Sequence, residues 1–165
     1  MNLSENIKIM NVLPPKNHAG GFDGNSKLVD MSKFHKVVFL VITGATSTSD
    51  SNIKIQAATD KTATTTEYIP AKYRYCAGAS SDVFGVFTDI VAATGFTMTA
   101  SKPNSMYAIE VQSSDLMEGD NANRYVRLVA TADTSNAQLV AVIALGYEAR
   151  FKNISMEQST YSVTT

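Results

Sequence analysis

The stretch His35–Thr43 constrains this chain more than any other. Within it, Val37-Val38-Phe39-Leu40-Val41-Ile42 is an unbroken apolar run, and four of its six residues are β-branched. β-branched side chains lose little on a pleated surface and crowd a helix. Six residues are far short of the roughly 20 a membrane helix needs. The run therefore reads as a strand at the heart of a sandwich, covered on both faces.

Other segments repeat the strand signal with cleaner alternation. Ile53-Lys54-Ile55-Gln56-Ala57, Met106 to Gln112 and Tyr125 to Ala130 each place apolar residues two apart, with Val126 and Leu128 on one face and Arg127 on the other. Leu139 to Leu145 is a further apolar strand ending at Gly146. Lys27 to Asp30 and Gly95 to Thr99 are short strands. Glu67 to Ala77 is extended, with Pro70 marking an edge or a bulge. Val83 to Ala92 carries both periodicities, and its Val, Phe and Ile content favours a strand. Ser113 to Glu118 has the look of one helical turn, with Ser114 as N-cap. Loops rich in Gly, Ser, Thr and Asn separate these segments.

The pattern predicts an all-β, single-domain antiparallel β-sandwich or jelly-roll-like barrel with an extended N-terminal arm. Its parts are an arm and flexible loop (1–25), a body (26–151) and a polar C-terminal tail (152–165). The expected core is Val37, Phe39, Val41, Ile53, Ile55, Ile109, Val111, Val126, Leu128, Val140 and Val142. Pro14-Pro15 is expected to end the arm's strand, Leu3 to Leu13. Such a strand is expected to pair with a sheet edge, either of its own domain or of a neighbouring protein, and the reach that the glycine-rich loop gives it favours the neighbour.

Composition narrows the function. Charged residues are only 18% of the 165, and 17 Thr, 16 Ser and 19 Ala take their place. Fourteen basic and 15 acidic residues leave a net charge of −1. Without clustered Lys and Arg the chain is not expected to coat nucleic acid. The N-terminus lacks the basic start and apolar stretch of a signal peptide, so we expect synthesis in a cytosol and no membrane partner.

Few residues offer chemistry. His18 lies in the flexible loop, His35 at the mouth of the central strand, and neither has companions at metal-ligand spacing. Cys76 reads as a buried strand residue. A Cys76–histidine pair would need an orienting Asn or Asp, and no local signature supplies one. Gly20-Gly21-Phe22-Asp23-Gly24 has no phosphate-loop ending. Asp115, Glu118 and Asp120, beside Asn121, form either a polar turn or a weak cation site. Tyr68, Tyr73 and Tyr75 are either strand filling or a recognition patch. No catalytic, cofactor-binding or metal residue is assigned, and no cofactor is expected.

Four blocks together resemble small head proteins of tailed bacteriophages. They are Lys27 to Phe39, Ile55 to Asp60, Ile109 to Leu128 with its Asp115-Leu116 and Tyr125-Val126-Arg127-Leu128, and Ala141 to Phe151. The resemblance implies a non-enzymatic virion structural protein, a capsid decoration or cement protein that binds the major capsid protein and forms homo-oligomers. It transfers no catalytic residue. A tail-tube, neck or head-completion protein is the nearest alternative. A receptor- or glycan-binding sandwich module is a third, weakened by the absence of Trp.

Overall fold

The computed structural model describes residues 7–18, 24–44, 50–78, 82–98, 104–117, 122–132, 138–149 and 158–163. Thirteen strands are present among them: β1 (Lys8–His18), β2 (Gly24–Asn25), β3 (Leu28–Asp30), β4 (Phe34–Thr43), β5 (Ser51–Ala58), β6 (Thr66–Ile69), β7 (Ala71–Cys76), β8 (Thr88–Ile90), β9 (Phe96–Met98), β10 (Met106–Gln112), β11 (Tyr125–Ala132), β12 (Gln138–Ala149) and β13 (Thr160–Tyr161). A single 3-10 turn spans Asp115–Met117, where the sequence pointed to a helical turn.

The strands form two antiparallel sheets packed face to face, a sandwich rather than a closed barrel. The first sheet runs β1-β12-β4-β10-β7-β8, and the second runs β13-β3-β11-β5-β6. Two short strands complete rows of the second sheet. β2 pairs with β11 at Val129 and Ala130, beyond the end of β3, and β9 pairs with β5 at Ser51 to Ile53, beyond the end of β6. Both margins of that sheet are therefore built from fragments.

β4 occupies the middle of the first sheet, between β12 and β10. Its Phe34, Val37, Phe39, Val41 and Thr43 are buried, while Val38 and Leu40 are partly covered and Ile42 is exposed. The run is thus buried on its inner face and only shielded by neighbours on its outer face. All eleven expected core residues lie in one buried cluster between the sheets. At about 25 cal/mol per Å² of apolar surface, this cluster is the main stabilising term.

Two polar contacts fasten the sandwich. Ser51 of β5 donates to Gln138 Oε1 of β12 at 3.0 Å, joining the two sheets through a buried hydrogen bond. Thr43 and Ser105 exchange three bonds between the end of β4 and the start of β10, at 2.9–3.1 Å.

Several expectations need correcting. The arm does not reach away in its described part. β1 is the margin of the first sheet and pairs with β12 from Lys8↔Gly146 to His18↔Gln138, with Met10 and Val12 in the core. Pro14-Pro15 does not end it. The proline pair falls within a register shift between Leu13 and Lys16, where the missing N–H groups are tolerated at a sheet margin. In the tail, Thr160 and Tyr161 pair with β3. Glu67 to Ala77 is two strands in different sheets, and Pro70 is the corner where the chain crosses between them. Val83 to Ala92 is not one strand. Residues 82–87 have no repeating structure, and only Thr88–Ile90 pairs. The strand at Leu139 continues past Gly146, whose lack of a side chain lets Phe34 lie against the backbone.

Candidate interaction surface

The outer margin of the first sheet departs most from ordinary surface composition. β7 alternates there. Tyr73 and Tyr75 point inward, where Tyr73 stacks on Phe96 (4.0 Å, 14°) and Tyr75 on Tyr107 (5.8 Å, 29°). Burial pushes the Tyr107 phenol up to about 12, helped by the nearby Tyr73 and Tyr75. Arg74 lies on the opposite face, level with Ala108.

The segment after β7 folds back over Arg74. The Gly85 N–H donates to the Tyr75 carbonyl at 3.0 Å, holding residues 82–87 alongside β7. The Arg74 guanidinium then sits 5.1 Å from the Phe84 ring centre and 4.8 Å from that of Phe87. Contacts of this kind hold an irregular backbone at fixed height over the sheet.

This anchoring leaves Val83, Val86, Phe87 and Val91 outside. They are 72%, 86%, 48% and 56% exposed. β8 is the last strand of its sheet, so its outer backbone edge has no partner among the described residues. Four exposed apolar side chains beside an open strand edge are what folded chains ordinarily avoid unless another protein covers them. The sequence showed the apolar residues and read them as a strand outside the expected core, but composition does not say whether a partner or the chain's own core covers a side chain.

At the far end of β7 lies a shallow cleft of about 240 Å³, lined by Pro70, Lys72, Asp89, Glu110, Gln112 and Asp115 among others. Lys72 pairs with Asp89 at 3.8 Å. Asp115 Oδ2 accepts the Gln112 N–H at 2.7 Å, capping the end of β10. Asp115 therefore has a local structural task. Glu118, Asp120 and Asn121 lie outside the described residues. Among the described residues no three of His, Cys, Asp and Glu gather as a metal set, and no helix is long and apolar enough to cross a membrane.

The other singled-out residues do not converge. Cys76 is buried beside Met106, which faces Ile42, whereas His35 is exposed at the opposite end of β4. Seven residues of strand separate them, roughly 23 Å, so they form no catalytic pair. The His18 side chain lies outside the described residues. Tyr68 is exposed on the second sheet beneath the Lys54 ammonium (5.0 Å), so it shares no patch with Tyr73 and Tyr75.

Compared with known proteins, the chain matches no family model, no curated protein and no solved structure.

Proposed function

We propose that this chain is a non-enzymatic structural protein of a phage virion, a decoration or cement protein that binds the capsid shell through the outer margin of its first sheet. One observation carries the reading. Val83, Val86, Phe87 and Val91 are exposed beside an open strand edge, on a segment tethered by Gly85 and Arg74. A pre-positioned apolar edge binds another protein at low ordering cost, and strand addition supplies main-chain hydrogen bonds. The resemblance of Lys27 to Phe151 to small phage head proteins supports a shell as the partner. A rigid sandwich suits a bracing role.

Mass spectrometry of purified virions tests this directly. The expected result is the chain at a fixed ratio to the major capsid protein, lost or reduced with Val86→Asp. A few copies per particle would favour the neck or head-completion reading. Sedimentation of the isolated protein shows whether the same edge also joins copies of this chain, as the expectation of a homo-oligomer requires.

A further inference from the structure

A second site lies on a different part of the molecule, where the β1 margin of the first sheet meets the β2–β3 row of the second. The Lys27 N–H donates to the Val12 carbonyl at 2.8 Å across this seam. A cleft of about 260 Å³ opens beside it, walled by Val12, Leu13, Pro14 and Val163 and carrying Lys27 and Arg127.

Among the described residues the charge there meets no carboxylate, and the outer nitrogens of the Arg127 guanidinium open to the cleft rather than being sealed in the fold. Arg127 is only 9% exposed. Its Nε donates to Gln56 Oε1 at 2.8 Å, a neutral acceptor. Its remaining guanidinium nitrogens have no hydrogen-bond partner among the described residues, and neither Arg127 nor Lys27 makes an ion pair there. Among the described residues the cleft lining holds no Asp or Glu. Burial accordingly holds the Arg127 guanidinium below its ordinary pKa, with only the Tyr68 phenol acting against it. Buried charges in folded chains are normally paired, because an unpaired one is expensive to desolvate. The contrast within the same strand region is informative. Arg124, three residues earlier, is half exposed and has a carboxylate partner, while the buried Arg127 has none among the described residues.

We propose that this cleft receives a single carboxylate, presented on an acidic peptide segment of a partner protein. The guanidinium fork suits a planar two-oxygen group. A volume of about 260 Å³ is below the usual 300–1,000 Å³ of cofactor and drug-sized sites, and fits one side chain. The apolar wall of Val12, Leu13, Pro14 and Val163 favours a peptide over a free ion, because residues flanking the carboxylate then bury apolar surface. Two cations are too few for a nucleic-acid groove. This site is independent of the β8 margin, so either proposal can fail alone.

The test uses the full chain and side-chain NMR of the arginine Nε–H groups. The probe is a capped pentapeptide, Ala-Leu-Glu-Leu-Ala, with its glutamine counterpart as control. The expected result is a saturable shift of the Arg127 resonance, with the glutamine peptide binding at least tenfold more weakly. Arg127→Met, which keeps the apolar stem, and the surface change Lys27→Gln should each weaken binding at least threefold. If Arg127→Met does not fold, Lys27→Gln and the peptide pair still decide. Equal binding of both peptides, or unchanged affinity in Lys27→Gln, overturns the proposal. Saturation by inorganic phosphate without binding of the glutamate peptide replaces the peptide with a free oxyanion and also overturns it.

Discussion

Arg124 grips Asp30 with two parallel hydrogen bonds, Nε to Oδ1 at 3.0 Å and Nη2 to Oδ2 at 2.8 Å. The carboxylate is fully buried, while the arginine side chain is half exposed. Ser32 adds bonds to Oδ1 from its backbone N–H (3.0 Å) and its hydroxyl (2.7 Å). The Asp30 N–H in turn donates to the Ser159 carbonyl, and the Met31 N–H to that of Arg124. This node ties β3, the start of β11 and the segment before β13 into one margin.

The node predicts an acid-sensitive stability. Burial alone would raise the Asp30 pKa, but the bonds from Arg124 and Ser32 outweigh it and hold the group below the ordinary carboxylate value. A depressed folded pKa contributes stability that is complete above the unfolded value of about 3.9. That contribution is lost as pH falls through the folded value. Arg124→Ala should cost about 2–3 kcal/mol at pH 7, below the roughly 3–5 kcal/mol of a broken fully buried pair because Arg124 is half exposed. The cost should be smaller at pH 3, below the unfolded value, than at pH 7. Urea unfolding of both proteins at the two pH values checks this, and an equal cost at both refutes it.

Gly146 predicts a packing limit. A Cβ there would lie 2.7–2.8 Å from three ring carbons of Phe34, a fully buried side chain. Overpacking of this kind costs about 1–3 kcal/mol. Gly146→Ala should lower the denaturation midpoint accordingly, and the double change Gly146→Ala/Phe34→Leu should recover part of the loss. A neutral Gly146→Ala would mean that the ring moves freely.

The bond between Ser51 and Gln138 predicts energetic coupling between the sheets. Ser51→Ala leaves Gln138 Oε1 without this donor and should cost about 1–2 kcal/mol. The double change Ser51→Ala/Gln138→Met should cost clearly less than the two single changes added together. Strict additivity would show that the bond does not couple the sheets.

Val86 predicts the opposite of a core residue. At 86% exposed, its change to Asp should alter stability by no more than about 0.5 kcal/mol. Val41→Asp, in the buried centre of β4, should prevent folding. Thermal melts of the two variants separate these roles. A large loss of stability in Val86→Asp would place Val86 in the fold rather than at an interface.

The strands and their buried faces were legible because alternation is local. Ile53, Ile55, Val126 and Leu128 announce their face within five residues. Arg127 was likewise assigned to the other face of β11. Its burial was not legible, because the cleft around it is assembled from Val12 and Val163, at opposite ends of the chain. The Asp30–Arg124 pair spans 94 residues and leaves no local mark. Pro14-Pro15 reads as a strand end because proline removes a donor, yet a sheet margin with a bulge accommodates it. Val83 to Ala92 misled because Val and Phe favour strands and cores alike. Nothing in a single sequence states that such residues face outward.

The pairing of β1 with β12 has a consequence for how the chain is made. β4, the most apolar strand, has β12 and β10 as its sheet neighbours, and both follow it in the chain. On a ribosome, Val37 to Ile42 emerges well before residues 106–112, and β12 emerges later still. β1 waits longest, since Lys8 meets Gly146. The first sheet thus assembles only once residues 138–149 have been made, from contacts distant in sequence, a topology that folds in milliseconds to seconds rather than microseconds. Throughout that interval the nascent chain carries its stickiest segment unpaired, so yield in a heterologous host should respond to translation speed and chaperone supply more than to the stability of the finished sandwich.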